Sequence, residues 1–361
     1  MHTRFEVNGF RGLQHLALEG LKRINLITGR NNTGKTSLLE AIFLHSGAYR
    51  PDLAMTLNAN RGLVSTRIEL AGPLRESPWS SVFNDFNDRG KIELIADTES
   101  LGRRSLRLRV LRDPKDLSRL AHTRPLQSTQ QLPAQWSAEG AIVLELTYED
   151  PKKQRRHYLI ADQHGIRTDP PPTPPPYPGF YLGARTRVPF QEMADRFTQT
   201  QLESQQPVLL EILRIIEPEL KSLLLLTFGG QTVLHGIVAE NRPIPAPLMG
   251  EGFYRLVELA VHIANAKDGI VLFDEIENGL HYAILPKLWK SLLQAARRFN
   301  VQLFCTTHSR ESAVAAHQAF TENGPDEFRL YRLERVDEEI RAVMYDERTL
   351  SVAIDANLEI R

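Results

Sequence analysis

The chain has 361 residues, 44 Lys and Arg balanced by 44 Asp and Glu, and one cysteine, Cys305. That length allows about two domains of ~150 residues and a substantial core, while zero net charge leaves no global field toward nucleic acid or an anionic membrane. A lone cysteine excludes an intrachain disulfide, and apolar runs such as Leu223-Leu224-Leu225-Leu226 are far too short for a bilayer. With no signal-peptide core at the N-terminus either, the expectation is a soluble cytoplasmic protein.

Residues 5–18 alternate, with Phe5 and Val7 answered by Leu16 and Leu18 and with Gly9 and Gly12 between them, which predicts a hairpin lying beside the next strand. That strand is Ile24-Asn25-Leu26-Ile27-Thr28. Directly after it, Gly29-Arg30-Asn31-Asn32-Thr33-Gly34-Lys35-Thr36 fits G-x-x-x-x-G-K-[ST], and Ser37-Leu38-Leu39-Glu40-Ala41-Ile42 opens a helix that runs to about His45. Strand, glycine loop and helix in that order make a phosphate cradle. The glycines let successive N–H groups from Asn31 to Ser37 converge at the helix's positive end; Lys35 reaches the β- and γ-phosphates and Thr36 offers a hydroxyl to Mg²⁺.

Period-two segments then recur at 67–70, 91–95, 105–111 and 141–148, predicting an antiparallel β region inserted after the first helix. Residues 113–140 are polar and Gln-rich and read as a long loop. Arg103, Arg104, Arg107, Arg109 and Arg112 cluster here. Arg107 and Arg109 read as the solvated face of a strand whose other face is Leu106, Leu108 and Val110, with a nucleic-acid-facing patch as the alternative. The proline run at 169–178 reads as a stiff extended spacer returning the chain to its main sheet. A strand resumes at 180–183, and 208–226 carries an apolar helical pattern interrupted by Pro218.

After three prolines, Leu248-Met249-Gly250-Glu251-Gly252-Phe253-Tyr254-Arg255 leads into an amphipathic helix. An apolar strand over 269–274, a helix over 281–299 and a strand over 301–306 follow, an alternation that predicts a parallel α/β sheet. Ile270-Val271-Leu272-Phe273-Asp274-Glu275 ends in two acids at a strand's carboxyl end, the edge where such sheets bind ligands. Asp274 suits a magnesium role and Glu275 the polarisation of a water in line with the γ-phosphate. Val301 to Ser309 repeats the shape. His308 there either donates to the γ-phosphate or holds the attacking water, and Ser309 caps the next helix. Residues 328–333 and 340–345 read as a terminal hairpin, with Asp337-Glu338-Glu339 in its turn.

Taken in order, Gly29 to Thr36, Gly250-Glu251-Gly252-x-x-Arg255, Asp274-Glu275 with Glu277-Asn278-Gly279-Leu280-His281, and Thr306-Thr307-His308-Ser309 resemble Walker A, signature, Walker B, D-loop and switch histidine of ABC-type ATPases. Within these the chain is most similar to the OLD-type and SMC-like group, especially stand-alone AAA/ABC ATPases of bacterial defence loci. The resemblance implies an α/β P-loop NTPase fold, an ABC-ATPase head with a mainly parallel central sheet, an antiparallel β subdomain and a helical subdomain. The expected division is 1–50 and 248–361 for the ATPase core, 51–178 for the β-rich insertion and 179–247 for the helical part. It implies ATP and Mg²⁺ as ligands and a head-to-tail homodimer around two ATP, in which Gly250, Glu251, Gly252 and Arg255 meet the other subunit's γ-phosphate. Met249 stands where many signatures carry serine, which leaves that contact to backbone amides. The Q-loop glutamine has only Gln191 and Gln199 as candidates.

OLD nucleases continue into a TOPRIM domain and SMC relatives into coiled-coil arms; neither pattern is expected here. The function implied is an ATP-driven switch acting on a separately encoded nuclease or toxin effector, or on DNA. Two rivals share the motifs: the ATPase subunit of a membrane transporter, and a nucleotide-sensing scaffold that does not hydrolyse.

Overall fold

The computed structural model describes residues 1–63, 77–113, 116, 141–162, 165–238 and 242–361. The strand expected at 67–70 and nearly all of the loop expected at 113–140 lie outside the described residues. β1 (His2–Phe10) and β2 (Leu13–Glu19) form the expected hairpin, and β3 (Ile24–Gly29) runs through the glycine loop into α1 (Lys35–Ser46), followed by α2 (Leu53–Asn60). β4 (Lys91–Thr98), β5 (Gly102–Leu111), β6 (Ile142–Glu149), β7 (Gln154–Asp162) and β8 (Gly165–Asp169) then fold as an antiparallel meander.

The hairpin does not lie beside β3, as its position in the chain suggested. β1 pairs with β4 instead, giving a seven-stranded sheet of order β2-β1-β4-β5-β6-β7-β8. Its apolar face supplies the reason: Phe5 and Val7 join Leu94, Leu106 and Leu146 in one buried layer against Leu38, Leu39 and Ile42 of α1. On β5 the alternation is as read, with Leu106 and Leu108 fully buried. Arg107 bonds Glu93 at 2.6 Å, Arg109 bonds Glu145 at 2.7 Å and Arg112 bonds Asp88 at 2.6 Å, so these cations are matched by acids of neighbouring strands and loops. Arg104 turns inward and stacks 4.6 Å over the Tyr177 ring.

β9 (Gly179–Leu182) precedes α3 (Phe190–Leu202) and α4 (Gln206–Leu213), and the helical pattern expected through 226 stops there. The chain continues instead as β10 (Ser222–Phe228), β11 (Gln231–Ile237) and β12 (Pro243–Pro245), a small antiparallel sheet turning at Gly229 and Gly230. α5 (Glu251–Asn265), β13 (Ile270–Phe273), α6 (Leu285–Phe299), β14 (Gln302–Thr306), α7 (Arg310–Asn323), β15 (Phe328–Val336), β16 (Glu339–Tyr345) and α8 (Glu347–Asp355) complete the chain.

The central sheet has the order β16-β15-β3-β14-β13-β9, and every pair except β15–β16 is parallel. Burial on both faces explains its continuous apolar strands. Val271 and Phe273 join a core with α3 to α7, while Ile270 and Leu272 join the core of α1 and the seven-stranded sheet. Period two thus divides the protein into two hydrophobic layers with the central sheet between them. Tyr331 ties the sheets directly, its hydroxyl donating to the Glu19 carbonyl at 2.7 Å. Among the described residues, no helix is long and apolar enough to cross a membrane.

Candidate functional site

β3 and β13 are separated in the sheet by β14 alone, and all three run parallel, so their carboxyl ends open on one edge. There the glycine loop turns back on itself. Gly29 takes φ 140°, and a Cβ on it would sit 2.5 Å from the Leu333 carbonyl oxygen and 2.7 Å from the Thr33 hydroxyl. Gly34 takes φ 88° as the cap of α1. Such close backbone approach is open only to glycine. Lys35 donates to the carbonyls of Gly29 at 2.5 Å and Arg30 at 2.9 Å, which folds its ammonium over its own loop. Burial pulls its pKa below the usual lysine range, against the nearby acids Asp274, Glu275 and Glu277.

Asp274 is 4% exposed and is held from both sides. The Thr36 hydroxyl donates to its Oδ2 at 2.9 Å, and the Thr306 hydroxyl to its Oδ1 at 2.6 Å. Thr306 also accepts the Glu275 backbone N–H at 2.8 Å, so one hydroxyl from the end of β14 fixes both acids. Burial pushes the Asp274 carboxyl above the usual range, the two threonine bonds opposing it and Glu275 adding to it. Glu275 itself adopts φ 54°, a left-handed conformation uncommon outside glycine and often found at working sites. Its Oε2 accepts from the Asn278 amide at 2.6 Å.

These groups border a cleft of about 910 Å³ lined by Asn32, Gly34, Thr36, Ser37, Asp274 and Glu275, together with Arg61, Tyr181 and Arg185. Sequence reading missed the arginine side of it. Glu40, on α1 and 1% exposed, forms an ion pair with Arg11 at 2.8 Å and accepts from both Nε and a terminal nitrogen of Arg61 at 2.8 Å. A buried carboxylate on the motif's own helix was the available signal, because such a group requires cationic partners. Residues 183–186, just past β9, occupy the same edge; Asp274 N–H donates to the Leu182 carbonyl at 2.9 Å. Gln191 and Gln199 are elsewhere. Each bonds an acid one turn along α3, Asp195 and Glu203, and neither lines the cleft.

His308 follows β14 and is joined to the acid segment through Glu277, whose Oε1 lies 2.9 Å from the His308 backbone N and 3.0 Å from its Nδ1. Ser309 caps α7, accepting from Ser312 N–H at 3.1 Å. Gly250, Glu251 and Gly252 form the start of α5 and do not line the cleft of their own chain. Gly252 packs on the backbone of Gly279, and Glu251 pairs with Arg187. Arg255 departs from its expected place facing a second subunit's phosphate. It is 3% exposed and donates to the carbonyls of Ala184 at 3.1 Å and Asp274 at 2.7 Å, because its place on the first turns of α5 aims it inward under the acid-bearing turn.

Two family models match the chain: one described as "AAA domain" over residues 4–117, the other as "AAA domain, putative AbiEii toxin, Type IV TA system" over residues 172–314. An "ATP/GTP phosphatase" of Helicobacter pylori is 22% identical over 344 residues, spanning 88% of this chain and 87% of its own length. The "DNA replication and repair protein RecF" of Nitrosococcus oceani shares 47% identity over 45 residues, 12% of each chain. Among solved structures, the SMC head bound to the C-terminal winged-helix domain of ScpA aligns over 98% of this chain and 99% of its own, at 14% identity and a TM-score of 0.50. The Pyrococcus furiosus SMC head with an extended coiled coil, bound to the C-terminal domain of ScpA, aligns over 99% of each chain at 12% identity with the same TM-score. The chain therefore has the SMC-head-like P-loop ATPase fold.

Proposed function

We propose that this chain binds ATP and hydrolyses it to ADP and phosphate as an ABC-type switch. The observation that carries the reading is the continuous bonding from Thr36 through Asp274 to Thr306 and the Glu275 backbone, which brings three distant segments to one sheet edge. A hydroxyl and a carboxylate 2.9 Å apart are hard oxygen donors of the kind Mg²⁺ takes, so Thr36 and Asp274 would hold the ion. When bound, it neutralises charge between the phosphates.

The remaining work belongs to side chains. Lys35 exchanges two loop carbonyls for phosphate oxygens, and the amides from Asn31 to Ser37 take the others at the start of α1. Glu275 accepts a proton from the attacking water, with its backbone pinned by Thr306 and one carboxylate oxygen by Asn278. His308 steadies the γ-phosphate or that water. In a head-to-tail homodimer, Gly250, Glu251 and Gly252 of one copy close the cleft of the other, and hydrolysis releases them. The effector of this switch is a separately encoded nuclease or toxin, or DNA, within a defence or repair role like that of OLD-type ATPases. The AbiEii-type family description and the RecF-like stretch support that choice.

Glu275→Gln is the decisive variant. It keeps size and hydrogen bonding but removes the proton acceptor, so phosphate release should fall at least ~100-fold while ATP affinity stays. Unchanged turnover would remove Glu275 from the chemistry, and a wild type that binds ATP without turning it over would make the protein a sensing scaffold.

A further inference from the structure

Glu277 is three residues past Asp274 and takes no part in the steps assigned to Lys35 and Glu275, yet its surroundings are unusual. Its side chain is only 11% exposed. Oε1 faces two nitrogens of one residue, the His308 backbone N at 2.9 Å and the imidazole Nδ1 at 3.0 Å. Oε2 is buried without a hydrogen-bond partner. A buried carboxylate directs its contacts where it can, and here its hydrogen bond from a backbone N–H and its close approach to an imidazole nitrogen both involve His308.

Neighbouring bonds make the contact specific. Glu275 and Glu277, two apart on the same turn, are dealt to different tasks: Glu275 is held by Asn278, and Glu277 crosses to the segment after β14. His308 is bracketed in turn. Ile276 N–H donates to the Thr306 carbonyl at 3.0 Å, and Ser309 N–H donates to the Thr307 hydroxyl at 3.0 Å, so the backbone on either side of the imidazole is fixed. A carboxylate oxygen 3.0 Å from Nδ1 favours the proton on that nitrogen and leaves Nε2 as the working nitrogen, as carboxylate partners of functional histidines do.

We infer that Glu277 is a positioning residue for His308, a carboxylate that joins the acid-bearing turn after β13 to the histidine after β14 and presents Nε2 to the reaction. The inference rests on the hydrolytic reading of this site. Without Glu277 the imidazole, 52% exposed, is free to turn about its side-chain bonds into solvent.

The test is Glu277→Gln. The amide oxygen still accepts from the His308 backbone N–H, so the turn is kept, but a neutral group replaces the carboxylate beside Nδ1. Steady-state hydrolysis should show kcat lowered roughly 10- to 100-fold, the usual size of such outer-contact effects, with KM for ATP within about twofold of wild type. His308→Ala and the double variant E277Q/H308A should have equal kcat, since residues that act as a unit do not lose activity twice. Multiplying losses in the double variant would overturn the inference, as would a normal E277Q rate. A raised rate would overturn it too, since the carboxylate would then be holding the imidazole away. Glu275→Gln run in parallel separates the two readings: if it is inactive and E277Q is normal, only the positioning role fails; if E275Q keeps full turnover, the hydrolytic reading fails and takes this inference with it.

Discussion

Burying Asp274 is costly to the fold, and that cost is readable as a pH effect. Burial holds its carboxyl above the usual range despite bonds from Thr306 and Thr36. A folded-state pKa above the unfolded one means that the folded chain keeps the proton longer, so stability falls as pH rises from the ordinary carboxylate range through the raised value. At neutral pH the whole penalty is present. Asp274→Asn removes the buried charge and leaves the threonine hydroxyls a partner. Without nucleotide at pH 7, its melting temperature should exceed that of wild type by about 1 °C, the size of shift that goes with somewhat under 1 kcal/mol in a chain of this length. The advantage should vanish in melts below the ordinary carboxylate range. A lower melting temperature at pH 7 would mean that the hydrogen bonds outweigh the desolvation.

Lys35, Thr36 and Asp274 were legible in the sequence because backbone geometry fixes their neighbours: a glycine loop between a strand and a helix, and an acid at a strand's end, have few places to go. The side chains of Glu277 and Arg255 were not. Both sit on tightly turned or buried backbone, and which way each points depends on tertiary neighbours, the segment after β14 and the turn after β9, that no local pattern encodes.

Among the elements, β10 is the plainest departure. Leu223 to Leu226 has no period, so a run of four leucines fits a buried helix and a strand equally. The better signal lay just beyond, where Gly229 and Gly230 separate two apolar runs by the two residues that a tight hairpin needs. Their φ values of 59° and 80° bear that geometry. Helix α5 raises the opposite point: every residue from Gly252 to Ala264 is buried, so its beginning is set by packing more than by a polar cap. Gly252 is the tight spot, because a Cβ there would run into the Gly279 carbonyl oxygen and lie 2.8 Å from a Leu280 methyl. Backbone on one side cannot yield as a side chain would. Gly252→Ala should cost roughly 1–3 kcal/mol, the range for overpacking, and chemical denaturation should show a lower midpoint with an unchanged slope. Wild-type stability would mean that α5 and the 277–280 turn are free to separate.

Across the whole molecule, charged contacts tie together the elements of one layer at the cleft. Glu40 on α1 draws in Arg11 from the β1–β2 turn and Arg61 from beyond α2, so the first hairpin and the helix of the glycine loop are joined by one buried carboxylate. Breaking such a buried set leaves uncompensated charge, which is why the arrangement persists on one side of the site. The other side is left open. Gly250, at φ 103°, has nothing within 4 Å of where a side chain would begin; Leu248 beside it is 77% exposed; and the segment does not line its own chain's cleft. A glycine turn at a helix start, facing outward, is what a second copy's γ-phosphate would meet in a two-fold arrangement, each copy giving the same surface and receiving the same one. Association should therefore depend on nucleotide. With ATP and Mg²⁺, the slow Glu275→Gln variant should run in light scattering at twice the 41.0 kDa chain mass, and with ADP or no nucleotide at the single mass. Gly250→Asp should bind ATP with near-wild-type affinity, since its own cleft is untouched, yet stay monomeric, because the added carboxylate opposes the incoming phosphate. A single mass at saturating ATP, or a dimer indifferent to nucleotide, would leave the exposed Gly250 turn with no part in association.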